Sequence, residues 1–265
     1  MPSLKEHQSA EYTKLLLMGD SKSGKTGALA SLVAKGFKLR ILDYDNGLDA
    51  LAQIVKRDSP KNLENVEFVT VRDKLKSTPT GTIVDGIATA FIDGLRMLDH
   101  WKYGEVDLGP PKAWGKETIL VLDSLTFMSD SAFRFREPLV PRSRDGKYDV
   151  RAVYKDAQDA IEKVLALLTS ESFRTNVIVI SHVRYVDNPD GTKKGYPTAV
   201  GSALSPQIPR YFNSVALAQT GPGGKRNIQT AATAMIDLAN PAAFKMLPTL
   251  PIETGLATFF ETLRS

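Results

Sequence analysis

The sequence has no cysteine in its 265 residues, which excludes disulfides, a thiol nucleophile and a thiolate zinc site and suits a reducing compartment. Histidine is nearly as scarce: His7, His100 and His182 are too dispersed to suggest a histidine metal cluster. No apolar run approaches the ~18 residues of a membrane-spanning helix. The opening MPSLKEHQSAEY also lacks the basic-then-apolar pattern of a secretory signal. A soluble cytoplasmic protein with no membrane partner is the expectation. Charge of one sign is in short supply too, with 34 Lys and Arg against 30 Asp and Glu. The net +4 is too mild, taken alone, to mark a nucleic-acid-binding chain. What the chain does have is 42% hydrophobic residues and enough length for one sizeable core.

The apolar segments alternate between two kinds. Residues 14–18, 37–42, 66–71, 118–122 and 176–181 are short, aliphatic and β-branched, as strands buried on both faces are. Between them lie helical patterns over residues 26–35 and from Ala157 through Leu168. A further helix is expected over residues 82–98, from the spacing of Val84, Ile87, Phe91, Ile92 and Leu95, with Thr82 and Asp85 as a capping box. Residues 99–117 break regularity, and Trp101, Tyr103 and Trp114 are expected to pack locally. Residues 184–210, rich in Gly and Pro, read as a long irregular loop. Residues 214–219 and 227–236 read as strands joined by the turn GPGGKR, and residues 255–263 as a closing helix. The fold class expected is α/β, a mostly parallel sheet between helices with a C-terminal β-hairpin annex.

One segment carries specific chemistry. Gly19, Asp20, Ser21, Lys22, Ser23, Gly24, Lys25 and Thr26 fit G-x-x-x-x-G-K-[ST] between an expected strand and an expected helix. Backbone N–H groups of such a loop surround phosphate oxygens, Lys25 neutralises the β and γ phosphates, and Thr26 can hold magnesium. Lys22 occupies a variable position of the motif and is expected in solvent. Asp123 closes the strand TILVL, where a carboxylate can hold Mg2+ opposite Thr26. Asp43 and Asp45, at the end of another strand, are candidates to direct the attacking water, and spacing does not choose between them. His182, directly after a strand, is placed to sense a γ phosphate.

The order GDSKSGKT, ILDYDNGLDAL, TILVLDSLT, NVIVISHV, GGKR resembles the RecA-like P-loop recombination ATPases. The likeness is to their small single-domain phage relatives grouped with single-strand annealing proteins, and it runs from about residue 14 to the end. The resemblance implies an N-terminal extension over residues 1–13 and a RecA-like ATPase domain over residues 14–265. It also implies ATP and Mg2+ as ligands, single-stranded DNA as partner, and head-to-tail assembly into a homo-oligomer or filament. A single-strand-binding or annealing protein is a further implied partner, and the host cytoplasm the location if the chain is phage-encoded. Within the family, the water-activating acid matches Asp45 and leaves Asp43 structural. The family commonly has glutamate there, so the shorter aspartate implies a repositioned water or slow turnover. His182 matches the γ-phosphate sensor, more often glutamine. Lys225 and Arg226 match fingers that reach the ATP of an adjacent subunit, and the sequence does not separate the two.

The resemblance places DNA contact in the loops after Asp123 and His182. Residues 134–151 hold six basic and three acidic side chains, and residues 184–226 hold six and two, so the small excess of charge is concentrated there. Arg142, Arg144, Lys147, Lys193 and Lys194 are the cationic candidates. Phe133, Phe135, Tyr148, Tyr185 and Tyr196 are the stacking candidates. Two other readings stay open: a P-loop kinase of a small molecule or nucleotide, and a non-hydrolysing nucleotide-switched DNA clamp.

Overall fold

The computed structural model describes residues 11–141, 149–188 and 190–264. In chain order the strands are β1 (Lys14–Gly19), β2 (Lys38–Asp43), β3 (Val66–Thr70), β4 (Leu75–Thr78), β5 (Gly81–Val84), β6 (Trp101–Tyr103) and β7 (Val106–Gly109). They continue with β8 (Gly115–Asp123), β9 (Thr175–Ser181), β10 (Val183–Asp187), β11 (Lys193–Pro197), β12 (Ser214–Thr220), β13 (Arg226–Gln229) and β14 (Thr249–Pro251). The helices are α1 (Lys25–Ala28), α2 (Ala30–Ala34), α3 (Asp49–Asp58), α4 (Ala90–Asp99), α5 (Leu125–Arg136), α6 (Val150–Thr169) and α7 (Gly255–Arg264). Leu29 keeps helical dihedrals between α1 and α2, so the two run on from each other as the sequence pattern expects.

Eight strands form one sheet in the order β14-β13-β12-β1-β9-β8-β2-β3. The six from β12 to β3 are parallel neighbours, and β13 and β14 add antiparallel. This is an α/β fold with a P-loop NTPase-like core, a mostly parallel sheet flanked by helices. The aliphatic strands explain the layering, because alternate side chains supply two separate cores. Leu16, Leu120, Leu122, Val177 and Val179 pack with residues of α4, α5 and α6 on one face. Leu15, Leu17, Ile119, Val121, Ile178 and Ile180 pack with residues of α1, α2, α3 and α7 on the other. All the parallel strands end at one edge of the sheet, so Gly19, Asp43, Asp123 and Ser181 emerge together there.

Four expectations are corrected. Residues 82–98 are not one helix: the first part is strand β5 of the β4–β5 hairpin, and only α4 is helical. Gly81 and Gly86 take positive φ on either side of β5, and Ile83 and Ile87 are exposed, so the apparent helical stripe has no core beneath it. Thr82 therefore caps nothing, and Asp85 pairs with Lys76. Residues 184–210 contain the antiparallel hairpin β10–β11 and a 3-10 helix rather than an irregular loop. The strand expected over residues 227–236 ends at Gln229, where β14 has become its outer partner. The C-terminal annex is thus a continuation of the main sheet. Trp101 and Trp114 do pack on each other, edge to face at 5.5 Å, while Tyr103 stays exposed.

Candidate nucleotide site

The loop after β1 is shaped by two residues with φ in the left-handed region, Lys22 at 64° and Gly24 at 95°. Gly24 needs that freedom, and a Cβ there would also press on the Arg226 Cδ at 3.1 Å. A side chain at Gly19 would collide with the Ala218 carbonyl of β12 and with Ser23, so the turn can close only on glycine. Asp20, Ser21 and Lys22 face solvent, whereas Ser23 and Lys25 are buried. The Lys25 ammonium is held inside the loop, donating to the Gly19 and Asp20 carbonyls at 2.9 and 2.7 Å. Burial lowers its pKa, and Asp123, Asp45 and Asp20 pull it back up.

Thr26 is the bridge to the acidic side. Its hydroxyl donates to Asp123 Oδ2 at 2.7 Å. Asp123 is 1% exposed, and burial lifts its pKa to about 7 against the lowering effect of Thr26. Its other oxygen, Oδ1, has no hydrogen-bond partner among the described residues, and neither do the buried hydroxyls of Ser23 and Ser124. Three orphaned buried oxygens around a hydroxyl–carboxylate pair, beside a sequestered ammonium, suit a divalent cation carried on a polyphosphate. Thr26 and Asp123 are the residues that would hold it. No group of three or more metal-ligating side chains occurs among the described residues.

The structure separates Asp43 from Asp45. Asp43 is buried and turned into its own loop, accepting from the Asn46 N–H at 2.7 Å and the Thr70 hydroxyl at 3.3 Å. Asp45 is half-buried and lines a cleft of about 410 Å³ with Ser21, Lys22, Lys25, Thr26 and His182. Burial raises the Asp45 pKa, and His182, Lys25 and Arg72 draw it down while Asp43 raises it further. The His182 pKa is lowered, first by burial and then by Lys25.

His182 is anchored by residues that the motif reading did not single out. Its N–H donates to the Thr126 hydroxyl at 3.1 Å, its carbonyl accepts from the Thr198 N–H at 2.7 Å, and its ring meets Phe127 edge to face at 6.0 Å. Thr126 and Phe127 open α5, directly after Asp123, so the acid and the histidine share a scaffold. Nothing in sequence spacing marks this link, since 56 residues separate Thr126 from His182.

Of the basic pair on the turn, Arg226 lines the same cleft as Lys25 and His182. Lys225 lines an adjoining groove of about 380 Å³, with Gly27, Ala30, Ala50, Ile54, Ile252 and Arg226 among its walls.

A family model described as an AAA domain matches residues 11–238. The chain belongs to the AAA domain family. For this AAA domain, comparison with curated proteins finds no match. Among solved structures, the crystal structure of the RadB recombinase is similar at 16% identity, over 83% of this chain and 80% of that one, with a TM-score of 0.43. The AAA domain and its P-loop imply nucleotide binding, and the cleft just described is where its phosphate-loop residues open.

The expected DNA-contacting residues divide. Arg142, Arg144, Lys147 and Tyr148 lie outside the described residues. Lys193 pairs with Asp187 at 3.5 Å and Lys194 with Asp237 at 2.6 Å, so both charges are partly answered within the fold. Phe133 and Phe135 pack on Tyr154 and Phe91, and therefore serve as internal anchors. Tyr185 is exposed on β10, beside Arg184 and three residues from His182, and Tyr196 is half-buried on β11. Among the described residues no helix is long and apolar enough to cross a membrane.

Proposed function

We propose that this chain is an ATPase that binds single-stranded DNA in its ATP-bound form and assembles head to tail along it, with residues 14–265 as the ATPase domain. The observation that carries the ATPase part is the meeting of Thr26, Asp123, Lys25, Asp45 and His182 at one strand edge. In this reading the backbone of residues 19–26 holds the phosphates, and Lys25 exchanges its two carbonyl contacts for phosphate oxygens. Thr26 and Asp123 hold Mg2+, which when bound offsets phosphate charge. The adjoining groove, in which Ala30, Ala50, Ile54 and Ile252 stand among charged residues, offers the base a place beside the loop.

Asp45 takes the proton of the attacking water as the water oxygen bonds to the γ phosphorus and the bond to the β–γ bridging oxygen breaks. Its raised pKa makes it a better proton acceptor than an exposed aspartate, which offsets part of the reach lost relative to glutamate. His182 donates from its ring to the γ phosphate. Because hairpin β10–β11 begins at the next residue and returns to Thr198, a shift of His182 moves the hairpin that bears Arg184 and Tyr185. The DNA part of the proposal rests on that connection and on the order of motifs.

The test is phosphate release from ATP by the purified protein, with and without single-stranded DNA, beside Lys25→Ala. Stimulation by single-stranded DNA that Lys25→Ala abolishes supports the proposal. A phosphorylated small-molecule product points to a kinase, and ATP-dependent DNA binding without phosphate release points to a clamp.

A further inference from the structure

We infer that Arg226 serves the ATP held by its own chain, and that Lys225 does not share this role. The inference rests on the ATPase reading above and departs from the inter-subunit role that the motif resemblance implies.

Three observations carry it. The first is the turn. The Gly221 N–H donates to the Lys225 carbonyl at 2.7 Å and the Gly224 N–H to the Gly221 carbonyl at 3.2 Å, so the turn is closed on itself. Arg226 is then the first residue of β13 and is fixed by its pairing with Thr220. The second is strand order. β12 lies directly beside β1, with Ala218 level with Gly19, so the start of β13 is brought to the phosphate loop of the same chain. The third is the side chain itself. Its Cδ lies over Gly24, 3.1 Å from where a Cβ would stand, with Ile252 beside the same position. The aliphatic stem therefore crosses the loop at Gly24, where no side chain blocks it, and the arginine forms part of the wall shared with Lys22, Lys25, Thr26, Asp45 and His182.

Arg226 makes no side-chain hydrogen bond or ion pair among the described residues, so its donors are available. A guanidinium in that position is placed to meet an α or γ phosphate with a forked pair of donors. Lys225, one residue earlier, is exposed and lies outside that wall.

The two arrangements differ in complementation. Lys25→Ala removes the phosphate-loop lysine but keeps Arg226, and Arg226→Ala does the reverse. Each variant is assayed alone for ATP turnover on single-stranded DNA, then the two are mixed at rising protein concentration. If Arg226 acts within its own chain, the mixture gives only the sum of the two separate rates at every concentration. A rate well above that sum means that Arg226 of one subunit completes the site of another, and overturns the inference.

Arg226→Ala alone is expected to lower kcat/KM on the order of 10- to 100-fold. It should also weaken binding of a fluorescent ATP analogue at dilutions where sedimentation shows monomer. Lys225→Ala is expected to change turnover far less, and the opposite ranking also overturns the inference. Arg226 is exposed, and an unchanged melting temperature of the variant separates loss of function from loss of fold. Failure of the wild-type chain to bind ATP at all removes the ATPase reading itself, whereas rescue in the mixture removes only the own-chain role of Arg226.

Discussion

Lys14 and Lys25 flank the same strand and turn, and both are almost completely buried, at 7% and 6% exposure. Their surroundings differ. Lys14, at the amino end of β1, donates to the carbonyls of Phe173 and Thr175 at 2.6 and 2.7 Å and sits 4.8 Å from the Phe173 ring centroid. Among the described residues no carboxylate offsets its burial, and its pKa falls to about 7. Lys25 also rests on two carbonyls, but Asp123, Asp45 and Asp20 draw its pKa back up. It opens on a cleft lined by Asp45 and His182. A buried ammonium satisfied by carbonyls alone ties the fold together. A buried ammonium kept charged by nearby carboxylates and open to a cleft remains able to pair with a ligand there.

Exchanging the residues on each side sharpens that contrast. Lys25→Ala is expected to reduce ATP turnover by a factor on the order of 10²–10³ or more. Lys14→Ala should spare the nucleotide site and destabilise the fold, because it strips two carbonyls of their donor at about 1–3 kcal/mol each. Steady-state kinetics and urea denaturation of the two variants check both halves. Equal effects on turnover would erase the distinction.

The aspartates repeat the pattern on a smaller scale. Asp45→Asn is expected to slow phosphate release on the order of 10²-fold at near-wild-type stability. Asp43→Asn should lower stability by about 1–3 kcal/mol through the loop bonds to Asn46 and Thr70. Urea midpoints and single-turnover rates separate these outcomes.

The pH dependence of Lys14 comes next in size. Its folded pKa of about 7 lies below the ordinary 10.5, so between those values the unfolded chain holds a proton that the folded chain has released. Because the unfolded state binds the extra proton throughout that window, raising the pH disfavours it and therefore raises stability from this residue. Below pH 7 both states are protonated, and the full cost of charging the buried lysine remains. Urea denaturation between pH 7 and pH 10 should show the rise, and Lys14→Met should flatten it. A variant with the wild-type slope would contradict this.

The smallest effect expected is on the β10–β11 hairpin. Lys194→Ala breaks an ion pair with an exposed aspartate and should cost less than about 1 kcal/mol. If the hairpin meets DNA, the same change lowers the salt dependence of binding by about one phosphate contact.

The interior of this fold was legible because its strands are apolar on both faces and end in Gly19, Asp43, Asp123 and Ser181. The phosphate loop was legible because glycine, lysine and threonine stand at fixed spacing between a strand and a helix. The exposed hairpins were not: β4 and β5 bury almost nothing, so the spacing of Val84, Ile87 and Phe91 imitated a helix until Gly86 is seen to break it. Nor was the choice between Lys225 and Arg226, or between Asp43 and Asp45, available from spacing. It depends on which side of a turn or strand end faces the cleft. The contact of Thr126 with His182 is tertiary and leaves no local trace.

The most direct test of the central claim is equilibrium binding of ATP with Mg2+ to the purified wild-type chain and to Lys25→Ala, followed by calorimetry. Saturable binding to the wild type that is lost or strongly weakened in Lys25→Ala, with Lys14→Ala retaining it, is the expected result. No measurable binding to the wild type, or equal binding to the wild type and Lys25→Ala, would contradict it.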